Sequence, residues 1–259
     1  MWELYDELIS GIPGGPAADE VICGSSWTMV RSGAHAGVAM TMKCDSRPPL
    51  RSDFVGVPLR ELAQGAKSWN LIEAGVGLAA INTYYNSPEK AAEHGIILQE
   101  EPEDRKKQDP FEALQDEFQG KNVCVVGHFP KLERIVAPYC NLSVLERSPL
   151  EGDYPDSACE YLLPEQDFVF ITGCTLVNKT LPHLLELSKN ARVIMVGPSV
   201  PMSPVLFRYG VEDLSGFIVT DAALCAQVVG GGVSPIFRAG KIVRLINKKV
   251  NYHRLKPMV

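Results

Sequence analysis

The chain lacks the patterns that carry most metal and nucleotide chemistry. Its 259 residues include seven cysteines, yet the closest two are 15 apart and no Cys-x-x-Cys occurs. Zinc-ribbon and thioredoxin-like motifs are thereby excluded, and an odd cysteine count argues against a disulfide framework. There is no His-x-x-x-His pair, no Gly-x-Gly-x-x-Gly, no Gly-x-x-x-x-Gly-Lys-Ser/Thr and no Gly-x-Ser-x-Gly. Ordinary NAD-dependent, phosphate-loop and serine-hydrolase chemistry are disfavoured accordingly. Positive charge is also scarce. Lys and Arg number 25 against 31 Asp and Glu, a formal net charge of −6, and the one basic run is Arg105-Lys106-Lys107. General nucleic-acid binding does not fit that balance. The apolar stretch at 74–81 is far short of the ~20 residues a membrane span needs. The first residues, Met-Trp-Glu-Leu-Tyr-Asp-Glu, are acidic, so no signal peptide is expected there. The expectation is a cytoplasmic protein with no nucleic-acid or membrane partner.

What is present divides near residue 105. In the first half an amphipathic segment covers 2–10, and β-like runs follow at 20–23, 27–31 and 37–43. Pro58-Leu-Arg-Glu-Leu-Ala63 reads as a helix start. Ser68 is the expected N-cap of a longer helix reaching about Tyr84. Trp69, Ile72, Val76, Ala79 and Thr83 recur at three- and four-residue steps and mark its buried face. Gly75 and Gly77 each cost that helix roughly 1 kcal/mol against Ala, which implies another backbone at close range. The charged stretch 100–110 reads as a linker, and Asp109-Pro110-Phe111-Glu112 carries the signs of a helix start.

The second half alternates. Apolar runs at 122–126, 142–145, 168–172, 192–196 and 217–220 are separated by helical patterns at 132–138, 158–163, 181–187, 205–209 and 222–229. Continuous apolar strands between helices predict a parallel sheet covered on both faces. A last run, 241–246, is either an edge strand or a return to the first half.

In such sheets the ligand crevice lies beyond the carboxyl ends of the strands. The residues found there are Gly127-His128-Phe129-Pro130, Glu146-Arg147, Gly152-Asp153-Tyr154, Gly173-Cys174-Thr175, Gly197-Pro198-Ser199 and Asp221. His128 is the candidate acid/base group. Thr175 and Asn178 flank a helix start, where plain capping would explain them equally well. Asp153 fits an Asx turn or a site; Pro198 and Ser199 fit a ligand contact. Glu146, 19 residues after Gly127, stands where nucleotide-binding folds place a ribose-binding acid. From the first half, Glu73 and Asn82 are expected to complete the pocket, although a solvated helix face would also account for Glu73. No metal-ligand spacing exists locally, but Cys174 and His128 could meet across adjacent strands and suit a soft metal.

Taken together, Pro58-Leu-Arg-Glu-Leu-Ala63, Ser68-Trp-Asn-Leu-Ile-Glu-Ala-Gly-Val-Gly-Leu-Ala-Ala-Ile-Asn82, Val126-Gly-His-Phe-Pro130, Ile171-Thr-Gly-Cys-Thr-Leu-Val-Asn-Lys-Thr180 and Val196-Gly-Pro-Ser199 resemble the heavy-metal chelation family of two-domain proteins. The resemblance implies an α/β protein. A small α+β domain similar to the N-terminal domain of enolases, residues 1–104, would precede a Rossmann-like parallel-sheet domain, residues 105–259, with partial likeness to methyltransferases. It further implies a pocket where the two meet and a link to heavy metals or chelators. An enolase proper is excluded, because residues 105–259 are too few for a barrel of about 250 residues.

Three readings follow. The first is an enzyme that transforms a small polar, metal-chelating metabolite by condensation, hydrolysis or transfer. The second is a non-catalytic carrier of a metal chelate, and the third a methyltransferase-like protein with a nucleoside cofactor at Glu146. Cofactor, metal and substrate are left unassigned, and a homo-oligomer is left open.

Overall fold

A computed structural model describes residues 2–98, 109–231 and 235–248. The expected linker and the junction at 104/105 fall largely outside the described residues, as does the basic run at 105–107.

Helix α1 (Glu3–Ser10) buries Leu4, Tyr5, Leu8 and Ile9. Strands β1 (Glu20–Cys23), β2 (Trp27–Ser32) and β3 (His35–Met40) form an antiparallel sheet in that order. A short helix α2 (Leu59–Leu62) runs into a 3-10 turn, Ala63–Lys67. Helix α3 (Leu71–Tyr85) then crosses the sheet, and α4 (Pro88–Glu93) follows.

Two expectations for α3 need correction. Its cap is Asn70, whose Oδ1 accepts the Glu73 N–H at 3.1 Å; Ser68 closes the preceding 3-10 turn instead. The helix also has no single buried face. Every residue from Glu73 to Thr83 is buried, as befits a segment apolar on all sides. Trp69 lies before the helix and is exposed. The close backbone anticipated from the glycines is real at Gly77, where a Cβ would lie 2.0 Å from the Ala66 nitrogen. That neighbour is the 3-10 turn of the first half.

The second half opens with α5 (Pro110–Ala113), capped by Asp109 as expected, and α6 (Gln115–Phe118). Then come β4 (Asn122–Val126), α7 (Leu132–Ile135), β5 (Asn141–Glu146), a two-residue β6 (Tyr154–Pro155) and α8 (Cys159–Leu162). β7 (Phe168–Thr172), α9 (Cys174–Val177), α10 (Leu181–Leu187) and β8 (Arg192–Val196) follow. The last elements are β9 (Val211–Val219), α11 (Ala222–Val229) and β10 (Gly240–Ile246). The helical pattern at 205–209 forms a 3-10 helix, and β9 starts six residues earlier than its apolar run announced.

The seven strands lie in the order β10-β9-β8-β7-β4-β5-β6, parallel except for β10, which is the expected edge strand. In chain order this is the 3-2-1-4-5-6 arrangement of doubly wound folds with one antiparallel strand added. Alternate residues feed opposite faces. Val123, Val125, Phe168, Phe170, Ile194 and Val196 pack with Phe111, Phe118 and Leu132. Cys124, Val169, Ile171, Val193 and Met195 share a core with α1, α3, α9 and α10.

One core cluster belongs to the second half alone, but the other two run across both halves. The one shared with α1 and α3 is continuous from Leu4 to Leu245. A third joins Met29 and Val38 of the small sheet to Phe217, Cys225 and Val228. Polar tethers cross the same boundary. Tyr5 donates to the Leu176 carbonyl at 2.9 Å. Asn86 donates to the carbonyls of Val200 and Phe217 and accepts from the Met202 N–H. Among the described residues no helix is long and apolar enough to cross a membrane.

Candidate functional site

The order of the large sheet reverses between β4 and β7, and loops diverge there to open a crevice. A cavity of about 900 Å³ occupies it. Post-strand loops supply Gly127, His128, Glu146, Thr175, Asn178 and Pro198; the first half supplies Trp27, Met40 and Met42. A separate cavity of about 590 Å³ lies beside Tyr84, Lys90 and Arg208, away from the strand ends.

Glycine shapes the floor. Gly127 and Gly197 have φ of +100° and +107°, a region costly for any residue with a Cβ. A Cβ on either would come within 3.8 Å of the Phe129 ring. The Phe129 ring thus lies within van der Waals reach of both turns, while the tight neighbour at Gly127 is Thr172, 3.1 Å from such a Cβ. Phe129 also meets Phe111 edge-on, with centroids 5.5 Å apart. One side of the cavity is consequently aromatic and apolar.

The other side is polar and centred on His128. Asp153 holds its Nδ1 with both carboxylate oxygens, at 2.9 and 3.0 Å. It also accepts the Leu150 N–H, so the 150–153 turn sets its position. A carboxylate on Nδ1 fixes the ring orientation and favours the tautomer whose Nε2 is basic. Nε2 lies 3.3 Å from Glu133 Oε1, on an exposed side chain that can swing aside. The loop backbone is pinned as well. Glu146 accepts the N–H groups of His128 at 2.9 Å, Arg147 at 2.7 Å and Ser148 at 3.2 Å. Its carboxylate is largely committed to shaping the loop.

The remaining expected residues divide. Thr175 is buried on the cavity wall and donates to the Thr172 carbonyl at 2.7 Å, leaving its oxygen to accept. Asn178 Oδ1 accepts from the hydroxyl and N–H of Thr180. Ser199 sits just behind the wall; its Oγ accepts the Met40 N–H at 2.9 Å and so ties β3 to the loop after β8.

Asn82 and Glu73 are not brought to the cavity. Asn82 is wholly buried against β3 and donates to the Val38 carbonyl at 2.8 Å. Glu73 is buried and accepts the N–H groups of Leu50 and Arg51, holding the loop before α2. Both polar side chains serve backbone groups of their own half. The anticipated meeting of Cys174 with His128 is also replaced. Cys174 Sγ neighbours Met40 Sδ and Ser199 Oγ instead. Among the described residues no group of three or more His, Cys, Asp or Glu could hold a metal ion.

Sequence reasoning missed Lys179, which reaches the cavity from a left-handed residue, φ +66°. Its ammonium donates to the carbonyls of Ser68 and Val177 and lies 5.5 Å from the Trp69 ring centroid. Burial pushes its pKa down to about 8, opposed by the charge of Glu73. No local spacing announces this, because Ser68 is 111 residues away. His183 also borders the cavity. Its Nε2 meets Glu160 at 2.6 Å, which raises its pKa.

Comparison with known proteins places these features in context. Two family profiles, both described as "Putative heavy-metal chelation", match residues 5–85 and 109–247. An uncharacterized protein of Methanocaldococcus jannaschii is 33% identical over 195 residues, 71% of this chain and 70% of that one. A crystal structure of a protein of unknown function from the DUF364 family of Desulfitobacterium hafniense is 48% identical, with a TM-score of 0.88. The match covers 95% of this chain and 99% of that one. A second, from Pyrococcus horikoshii, shares the fold at 23% identity and a TM-score of 0.74, covering 94% and 98%.

Proposed function

Because the chain belongs to the heavy-metal chelation family, we propose that it binds a small polar, metal-chelating metabolite in the cavity and transforms it, with His128 moving the proton. The observation that carries this reading is His128, which lines the cavity with its Nδ1 held by the more buried carboxylate of Asp153. A histidine oriented by a buried carboxylate is the arrangement that proton transfer requires, and general acid–base catalysis contributes typically 10²–10⁴-fold.

Each residue then has a task. Phe129, Phe111 and Trp27 pack the apolar body of the ligand. Thr175 and Asn178 orient its polar groups, with Pro198 shaping the wall beside them. Nε2 of His128 takes a proton from an attacking hydroxyl, amine or water, or returns it to a leaving group, in a condensation, hydrolysis or transfer. Glu146, with Ser199 behind the wall, keeps the loops in register. The third reading has less support, because Glu146 already accepts three backbone N–H groups and has little left for a ribose.

The test separates enzyme from carrier. Native mass spectrometry with elemental analysis of the purified protein identifies any retained organic molecule and metal. Stoichiometric release of an unchanged chelate over prolonged incubation favours a carrier; conversion by the wild type but not by His128→Ala supports the enzyme.

A further inference from the structure

Four sulfur-bearing residues line the cavity, Met40, Met42, Cys159 and Cys174, and two of them meet. Sγ of Cys174, after β7, lies 3.5 Å from Sδ of Met40, at the end of β3. The residues are 134 positions apart, belong to different halves, and both line the cavity. Their separation is held from several directions. The Met40 N–H is bonded to Ser199 Oγ, and that same oxygen lies 3.9 Å from Cys174 Sγ. Gly173 brings the Cys174 loop so close to the next one that a Cβ there would stand 2.6 Å from the Ser199 carbonyl carbon. Met40 is 40% exposed, so the pair can be reached from the cavity side, while Cys174 is buried.

We propose that Cys174 and Met40 form a soft-metal subsite in the cavity wall, selective for a thiophilic ion of the Cu(I) or Ag(I) class carried by the bound chelate. The proposal deepens the reading above and rests on it. With metal–sulfur bonds of about 2.3 Å, one ion bridges sulfurs 3.5 Å apart at an S–metal–S angle of about 100°. That angle belongs to three- or four-coordination, which leaves room for Ser199 Oγ or for donor atoms of the chelate. As the Sγ–metal bond forms, the thiol proton passes to solvent; Met40 contributes a neutral lone pair, and no electron is transferred. A thiolate with a thioether selects soft ions over Mg²⁺ or Ca²⁺.

The test uses the full chain carrying Cys23→Ser and Cys44→Ser, which removes the exposed thiols. Cu(I) is titrated against a bicinchoninate competitor, and an apolar fluorescent dye reports occupancy of the cavity. The expected result is one tight Cu(I) per chain, weakened at least tenfold by Cys174→Ser and, separately, by Met40→Leu, with dye binding kept in both. Cu(I) affinity unchanged by either substitution, or absent from the parent while dye still binds, overturns the subsite and leaves the cavity reading intact. Failure of the parent to bind dye counts against the cavity reading itself.

Discussion

Asp153 holds His128 from the inner side: the carboxylate lies 2.9 Å from Nδ1 and is the more buried partner, its side chain 4% exposed against 19%. Positioning of this kind predicts a graded pair of variants. His128→Ala should remove turnover. Asp153→Asn should keep the ring in place but present a neutral amide to Nδ1, lowering kcat by about 10²-fold or more with little change in KM. Steady-state kinetics decides it, and equal kcat for Asp153→Asn and wild type removes the aspartate from the mechanism.

Asn86 predicts an effect on stability. Its buried side chain makes three hydrogen bonds, to Val200, Phe217 and Met202. Asn86→Ala orphans buried backbone groups at about 1–3 kcal/mol each. Chemical denaturation should show a loss of at least about 2 kcal/mol. A loss below half of that would mean that water replaces the tether.

How legible was this molecule in its sequence? Where local rules decide, the reading succeeded. Helix α11 spans the anticipated 222–229, and the alternating halves of β4, β7 and β8 face the two predicted sides; Asp221, grouped with the crevice residues, caps α11 instead. The post-strand loops did converge, because strand ends in a parallel sheet have nowhere else to empty. The polar residues of α3 were misplaced for a physical reason. Asn82 and Glu73 are polar on a helix buried all round, and their partners, Val38 and Leu50, belong to segments with no periodic link to the helix. The Met40–Cys174 contact was equally invisible, since it depends on how two halves dock.

Gly75 and Gly77 should respond oppositely to the same substitution. A Cβ at Gly75 meets nothing closer than 3.6 Å, so Gly75→Ala should stabilise by up to about 1 kcal/mol through helix propensity. At Gly77 the Cβ would lie 2.0 Å from the Ala66 nitrogen and 2.5 Å from the Gly65 carbonyl carbon. Gly77→Ala should destabilise by about 1–3 kcal/mol or more. Melting temperatures that move in the same direction for both would contradict this packing.

Lys179 predicts a pH dependence. Its folded pKa of about 8 lies below the ordinary lysine value of 10.5. Between those values the unfolded chain binds more protons than the folded one, so this residue makes stability rise with pH across that window. Below about pH 8 both states are protonated and the full cost of burying the charge applies. Relative to Lys179→Met, the wild type should gain stability from pH 8 to 10.5. A constant difference between the two proteins over that range would show that the ammonium is not desolvated.

The central claim is that this cavity turns over a chelating metabolite through His128. The most direct measurement incubates wild type and His128→Ala with a small-molecule cell extract and follows the pool by mass spectrometry. The wild type should consume one metabolite and form one product, and His128→Ala should bind that metabolite unchanged. A pool untouched by the wild type, or altered equally by both proteins, would contradict it.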